Sequence, residues 1–274
     1  MPDVIKNYKE KRVVDYLKPG LKALVKFDRH GLGDVIMFQP LYQRLKTLYP
    51  NVEWHLKANC DQQYFEETPD ASVDIIFDIQ FPETVSIFKG SNYALSKPEA
   101  CAILELGIPW TKDLEFSWEP RSWNADLKIK ENCIGFVYQV QSDPSKGLNT
   151  GTGANFWRKI KEAGFTPIEV QFHNPNANKK NGRAAFVNYS CRDFEASVEN
   201  LIAVLKQCRG FVGVNTGTFC AATCVMHGHV LALNTRYPFA PFYKRIDPVM
   251  SMDCHDPSHM NYKALDDYLA SCKS

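Results

Sequence analysis

Leu21-Lys22-Ala23-Leu24-Val25-Lys26-Phe27-Asp28-Arg29-His30-Gly31-Leu32-Gly33-Asp34-Val35-Ile36-Met37-Phe38-Gln39-Pro40 is the stretch on which the fold class turns. An apolar run ends at Phe27, a short polar loop follows, and two glycines open a segment with apolar residues at helical spacing: Val35, Phe38, Leu41, Leu45 and Leu48. The order is strand, glycine turn, helix, which is the opening unit of an α/β protein. In such proteins ligands collect at the carboxyl ends of strands, where helix N-termini turn free N–H groups outward. Asp34 stands at the mouth of this helix, either as a cap or as a group with chemistry to perform.

The 274 residues suffice for one large domain or two modest ones. Lys and Arg number 32 against 31 Asp and Glu, so no long-range attraction to polyanions is written into the net charge. Lys128/Lys130 and Lys179/Lys180/Arg183 are local basic clusters that a solvated surface also explains. No apolar run is long enough to cross a bilayer, and residues 1–18 lack the apolar core of a signal peptide. Nine cysteines at irregular spacing suggest free thiols in a reducing compartment. A cytoplasmic protein without a transmembrane segment is expected.

Alternating strands and helices continue outward from the opening unit. Strands are predicted over 52–57 and 74–79, with a helical stretch around 61–67 between them. A helix capped at Ser96-Lys97-Pro98-Glu99 runs to Gly107. Residues 110–130, rich in Trp, Pro and charge, read as the connection between halves. The pattern then restarts: strand 133–138, loop 141–153, helix 154–163, strand 167–172, strand 185–189, a helix beginning near Asp193, strand 211–214, a turn into a helix ending near Gly228, and strand 230–233. A helix over 262–272 closes the chain. Two consecutive sets of alternating elements predict two parallel-sheet domains facing across a cleft, 1–125 and 126–274, with the final helix free to pack back on the first.

Gly31-x-Gly33 is a poor dinucleotide fingerprint. The third glycine position is Ile36, and the second strand ends in Lys57, Ala58 and Asn59 without the expected acid. A second turn, Asn215-Thr216-Gly217-Thr218, follows a fully apolar strand and opens a helix of small residues. Its N–H groups and threonine hydroxyls suit a diphosphate, and Asn and Thr are equally good helix caps. Lys146, in the loop after residues 133–138, has the reach and charge to join them. Cys220, Cys224, His227 and His229, with Cys254, His255 and His259 downstream, raise a zinc reading, but the spacing matches no structural zinc pattern.

Val25-Lys26, Gly31-x-Gly33-Asp34-Val35, Pro40-Leu41, Leu45-Lys46 and Tyr49-Pro50 together resemble the N-terminal signature of the lipopolysaccharide heptosyltransferases, glycosyltransferase family 9. Phe211-Val212-Gly213-Val214-Asn215-Thr216-Gly217 is similar to that family's second signature, an apolar strand followed by Asp-Thr-Gly. Lys146 and the helix with Phe156-Trp157 resemble its lysine–tryptophan segment. This chain departs in having Asn215 for the aspartate and Cys220 for a histidine three residues past the glycine.

The resemblance implies a GT-B fold, two Rossmann-like domains with the acceptor on the N-terminal side and the nucleotide sugar on the C-terminal side. It implies transfer of a sugar from a nucleotide-sugar donor to an acceptor hydroxyl, with no metal and no cofactor. Asp34 would be the catalytic base, with Asp28, His30, Gly31 and Gly33 forming the acceptor-side loop. Lys146, Asn215, Thr216, Gly217 and Thr218 would hold the donor diphosphate. The helix dipole favours the charged form of Asp34 and makes it a weaker base. An envelope glycan and a hydroxymethylated DNA base of the phage type are both open as acceptors. The alternative is a non-catalytic nucleotide-sugar-binding protein of the same fold.

Overall fold

The computed structural model describes residues 2–5, 11–27, 31–58, 72–81, 97–111, 114, 117–140, 147–172, 183–227, 229–235, 250–254, 256 and 260–273. The helical stretch expected around 61–67 lies outside them. The chain divides into two compact units, Met1–Trp118 and Glu119–Ser274. Each is built on its own all-parallel sheet, as the alternating pattern predicts.

In the first unit, β1 (Asp3–Ile5), β2 (Lys22–Phe27), β3 (Glu53–Ala58) and β4 (Ile75–Asp78) lie in the order β1-β4-β2-β3. Helix α1 (Leu32–Leu48) crosses from β2 to β3 and is buried without a break from Val35 to Tyr42. Its enclosure on several sides explains why apolar residues exceed the single stripe expected of a surface helix. Phe27 stacks on Phe38 with ring centres 4.3 Å apart, and Phe81 meets Phe27 edge-on at 5.2 Å. Helix α2 (Lys97–Ala100) passes into a π-helical turn, Cys101–Leu106, which Gly107 ends in the left-handed region at φ +76°. A Cβ at Gly107 would also lie 2.6 Å from Val14 Cγ2, so glycine is required there twice over.

In the second unit, β5 (Cys133–Val137), β6 (Thr166–Glu169), β7 (Gly210–Gly213), β8 (Val230–Asn234) and β9 (Met250–Asp253) lie in the order β6-β5-β7-β8-β9. Among the described residues four helices accompany them: α3 (Thr150–Glu162), α4 (Val198–Gln207), α5 (Gly217–Val225) and α6 (Lys263–Ser271). One face of the sheet carries a continuous core of Ile134, Phe136, Tyr138 and Val140 with Phe156, Trp157 and Ile160 from α3 and Leu265, Tyr268 and Leu269 from α6. The last helix is thus built into the core of the second unit.

Several local expectations are corrected. Helix α3 starts at Thr150 rather than Ala154, capped by the Asn149 side chain, which accepts the Thr152 N–H at 2.8 Å. Two glycines inside its first turns made this stretch read as loop; Gly153 is needed because a Cβ would come 2.7 Å from the Tyr138 ring. Residues 185–189 form a turn instead of a strand, leaving only the single bridge Glu169–Ser190. Cys191–Asp193 is a short 3-10 turn capped by Ser190, and α4 begins afresh at Val198 under a Ser197 cap. Strands β1 and β9 are additions at sheet edges that the sequence pattern did not reveal.

Candidate functional site

Each sheet has a place where the connections leave in opposite directions, the point at which open parallel sheets generally bind ligands. In the first unit this point lies between β2 and β4, and the turn into α1 rises from β2 beside it. Gly31 is the N-cap of α1 in extended conformation and makes no side-chain cap, which places Asp34 at the third helical position. Asp34 is half-buried, and a Cβ at Gly31 would meet nothing within 4 Å. Capping of the ordinary kind, by the residue before the first turn, is therefore not the role of Asp34. Asp28 and His30 lie outside the described residues. One carboxylate that sequence reasoning missed is Asp78, 6% exposed at the end of β4 and in register with Lys26 of β2. Its only sequence signal was a charged residue closing an apolar strand.

In the second unit the corresponding point lies between β5 and β7. Val137 is in register with Gly213, and the Val214 N–H continues the ladder to the Val137 carbonyl at 3.0 Å. A Cβ on Gly213 would stand 2.5 Å from Val137 Cγ1, so glycine lets the two strands keep this contact right up to the turn. The chain then passes through half-buried Asn215 into α5. Thr216 is the N-cap, its Oγ1 accepting the Phe219 N–H at 3.1 Å. Only one residue of this turn is committed to capping. Thr216 spends its hydroxyl oxygen on the helix, while the N–H groups of Gly217 and Thr218 have no partner among the described residues.

Lys146 lies outside the described residues, but the chain that follows it is fixed beside β5. Leu148 donates its N–H to the Tyr138 carbonyl at 2.7 Å. A Cβ on Gly147 would lie 2.8 Å from that same oxygen and 2.9 Å from Gln139 Cα. Gly147 and Leu148 thus lie beside the end of β5, the strand neighbouring the Asn215–Thr218 turn.

Behind this edge lies a buried polar cluster. Glu169, on β6 and fully buried, accepts from Arg192 Nε at 3.0 Å and from Ser190 Oγ at 2.5 Å; Arg192 also donates to Gln171 Oε1 at 2.9 Å. Burial, with the Glu169 carboxylate adding to it, pushes the Tyr138 hydroxyl up to about 12 against the opposing pull of Arg192.

Among the described residues, no three His, Cys, Asp or Glu side chains stand together in a way that would hold a metal ion. Cys220 and Cys224 are buried at 2% and 6% exposure within α5, and His229 approaches Cys272 Sγ at 3.5 Å instead. His255 and His259 lie outside the described residues. All eight described cysteines are free thiols.

No family model matches the sequence, and no curated protein sequence does. Solved structures do match. The crystal structure of a family 9 glycosyltransferase from Veillonella parvula aligns over 92% of this chain and 97% of its own, with a TM-score of 0.61 at 12% identity. The chain has the GT-B fold. E. coli ADP-heptose LPS heptosyltransferase II aligns over 93% of this chain and all of its own, with a TM-score of 0.58 at 13% identity. The iron-containing dodecameric glycosyltransferase TibC of enterotoxigenic E. coli aligns over 78% of this chain and 58% of its own, with a TM-score of 0.53 at 15% identity. At such identities the shared property is the GT-B architecture, two parallel-sheet units in the same order along the chain. No helix among the described residues is long and apolar enough to cross a membrane.

Proposed function

We propose that this protein is a nucleotide-sugar-dependent glycosyltransferase that works without a metal or a cofactor. The observation that carries the reading is the pair of unclaimed N–H groups, Gly217 and Thr218, at the crevice between β5 and β7. A helix N-terminus at the switch point of a parallel sheet favours a diphosphate. The GT-B likeness supports it, because two of the aligned structures are glycosyltransferases by name and a third is named for ADP-heptose.

In this reading the second unit binds the donor and the first binds the acceptor. Asp34 takes the proton of the acceptor hydroxyl as its oxygen bonds to the anomeric carbon. The bond from that carbon to the diphosphate oxygen breaks, and the diphosphate leaves with the electron pair. Its charge is met by the Gly217 and Thr218 N–H groups, with Thr218 Oγ1, Asn215 and Lys146 alongside. Asp28 and His30 complete the acceptor side with Gly31 and Gly33.

A non-catalytic nucleotide-sugar binder is the second reading, favoured by one observation. Cys220 occupies the place of the family's histidine and is buried at 2% exposure, so it offers the site no polar group. The test is a thermal-shift and turnover panel on the full chain with ADP, UDP, GDP and CMP sugars, starting with ADP-heptose. A donor that raises the unfolding temperature supports the donor site. Release of its nucleoside phosphate with a glycan or hydroxymethylated DNA acceptor supports the enzyme and tells the two acceptor classes apart. Binding without transfer to either favours the second reading, and no stabilisation by any donor overturns both.

A further inference from the structure

We draw no further inference here: the strongest candidate, the buried side-chain cluster behind the ends of β5 and β6 in which Tyr138 Oη and Glu169 Oε1 have no hydrogen-bond partner, borders the donor site already described, and nothing in the structure shows what else these two atoms would bind.

Discussion

The hydroxyl of Tyr268, on the last helix, accepts the N–H of Phe211 at 2.8 Å, tying α6 to the central strand β7. The same hydroxyl donates to the His229 carbonyl at 3.0 Å just before β8. One side chain therefore closes the gap between two neighbouring strands at their amino ends, on the edge opposite the candidate site. Tyr268→Phe should cost about 1–3 kcal/mol for each main-chain group left without a partner. Urea unfolding at neutral pH should show the loss, and donor binding at the far edge should change little.

The Arg192–Glu169 pair is sealed beneath the sheet end, with the two side chains 15% and 1% exposed. Arg192→Met leaves a buried carboxylate with only the Ser190 hydroxyl, a change expected to destabilise by about 3–5 kcal/mol. Adding Glu169→Gln should recover much of that loss, since an uncharged amide needs no counter-ion. A double-mutant cycle by chemical denaturation measures both.

Glu105, half-buried in the π-helical turn after α2, is raised by burial from 4.5 to about 7. Between these values the unfolded chain has released a proton that the folded chain still holds, so raising the pH favours unfolding. Stability from this group is fully present below about pH 4.5 and declines as the pH rises through 7. Glu105→Gln should therefore be more stable than the wild type at pH 8 and indistinguishable from it near pH 4. Unfolding temperatures of both proteins across that range check the sign.

Asp34→Asn keeps the shape of the helix start and removes the basic group. Turnover should fall about a hundredfold to ten-thousandfold, the usual contribution of a positioned base, while donor affinity stays within a small factor of wild type. Undiminished turnover would assign the proton to another group.

The parts of this fold legible in the sequence were those with strong local chemistry. β5 and β7 are unbroken apolar runs, β2 and β8 are largely apolar, and the turns at Gly31 and Asn215 are punctuated by glycine, Asn and Thr. Short edge strands such as Asp3–Ile5 are defined by a distant partner rather than by their own pattern. Gly151 and Gly153 read as loop because the reason for a small residue in α3, the Tyr138 ring, lies in another element. At the candidate site the order of turns was legible, but the division of labour within one turn was not. That Thr216 caps while Gly217 and Thr218 keep their N–H groups depends on a hydrogen bond no spacing encodes.

The placement of β1 sets an order of assembly. In the sheet Asp3, Val4 and Ile5 pair with Ile75, Ile76 and Phe77, so β1 cannot take its place until β4, which follows β2 and β3 in sequence, has been made. During that interval β2, α1 and β3 can already pack, because their contacts are local. The strand that comes first of the four in sequence is thus the last of its sheet to gain a place.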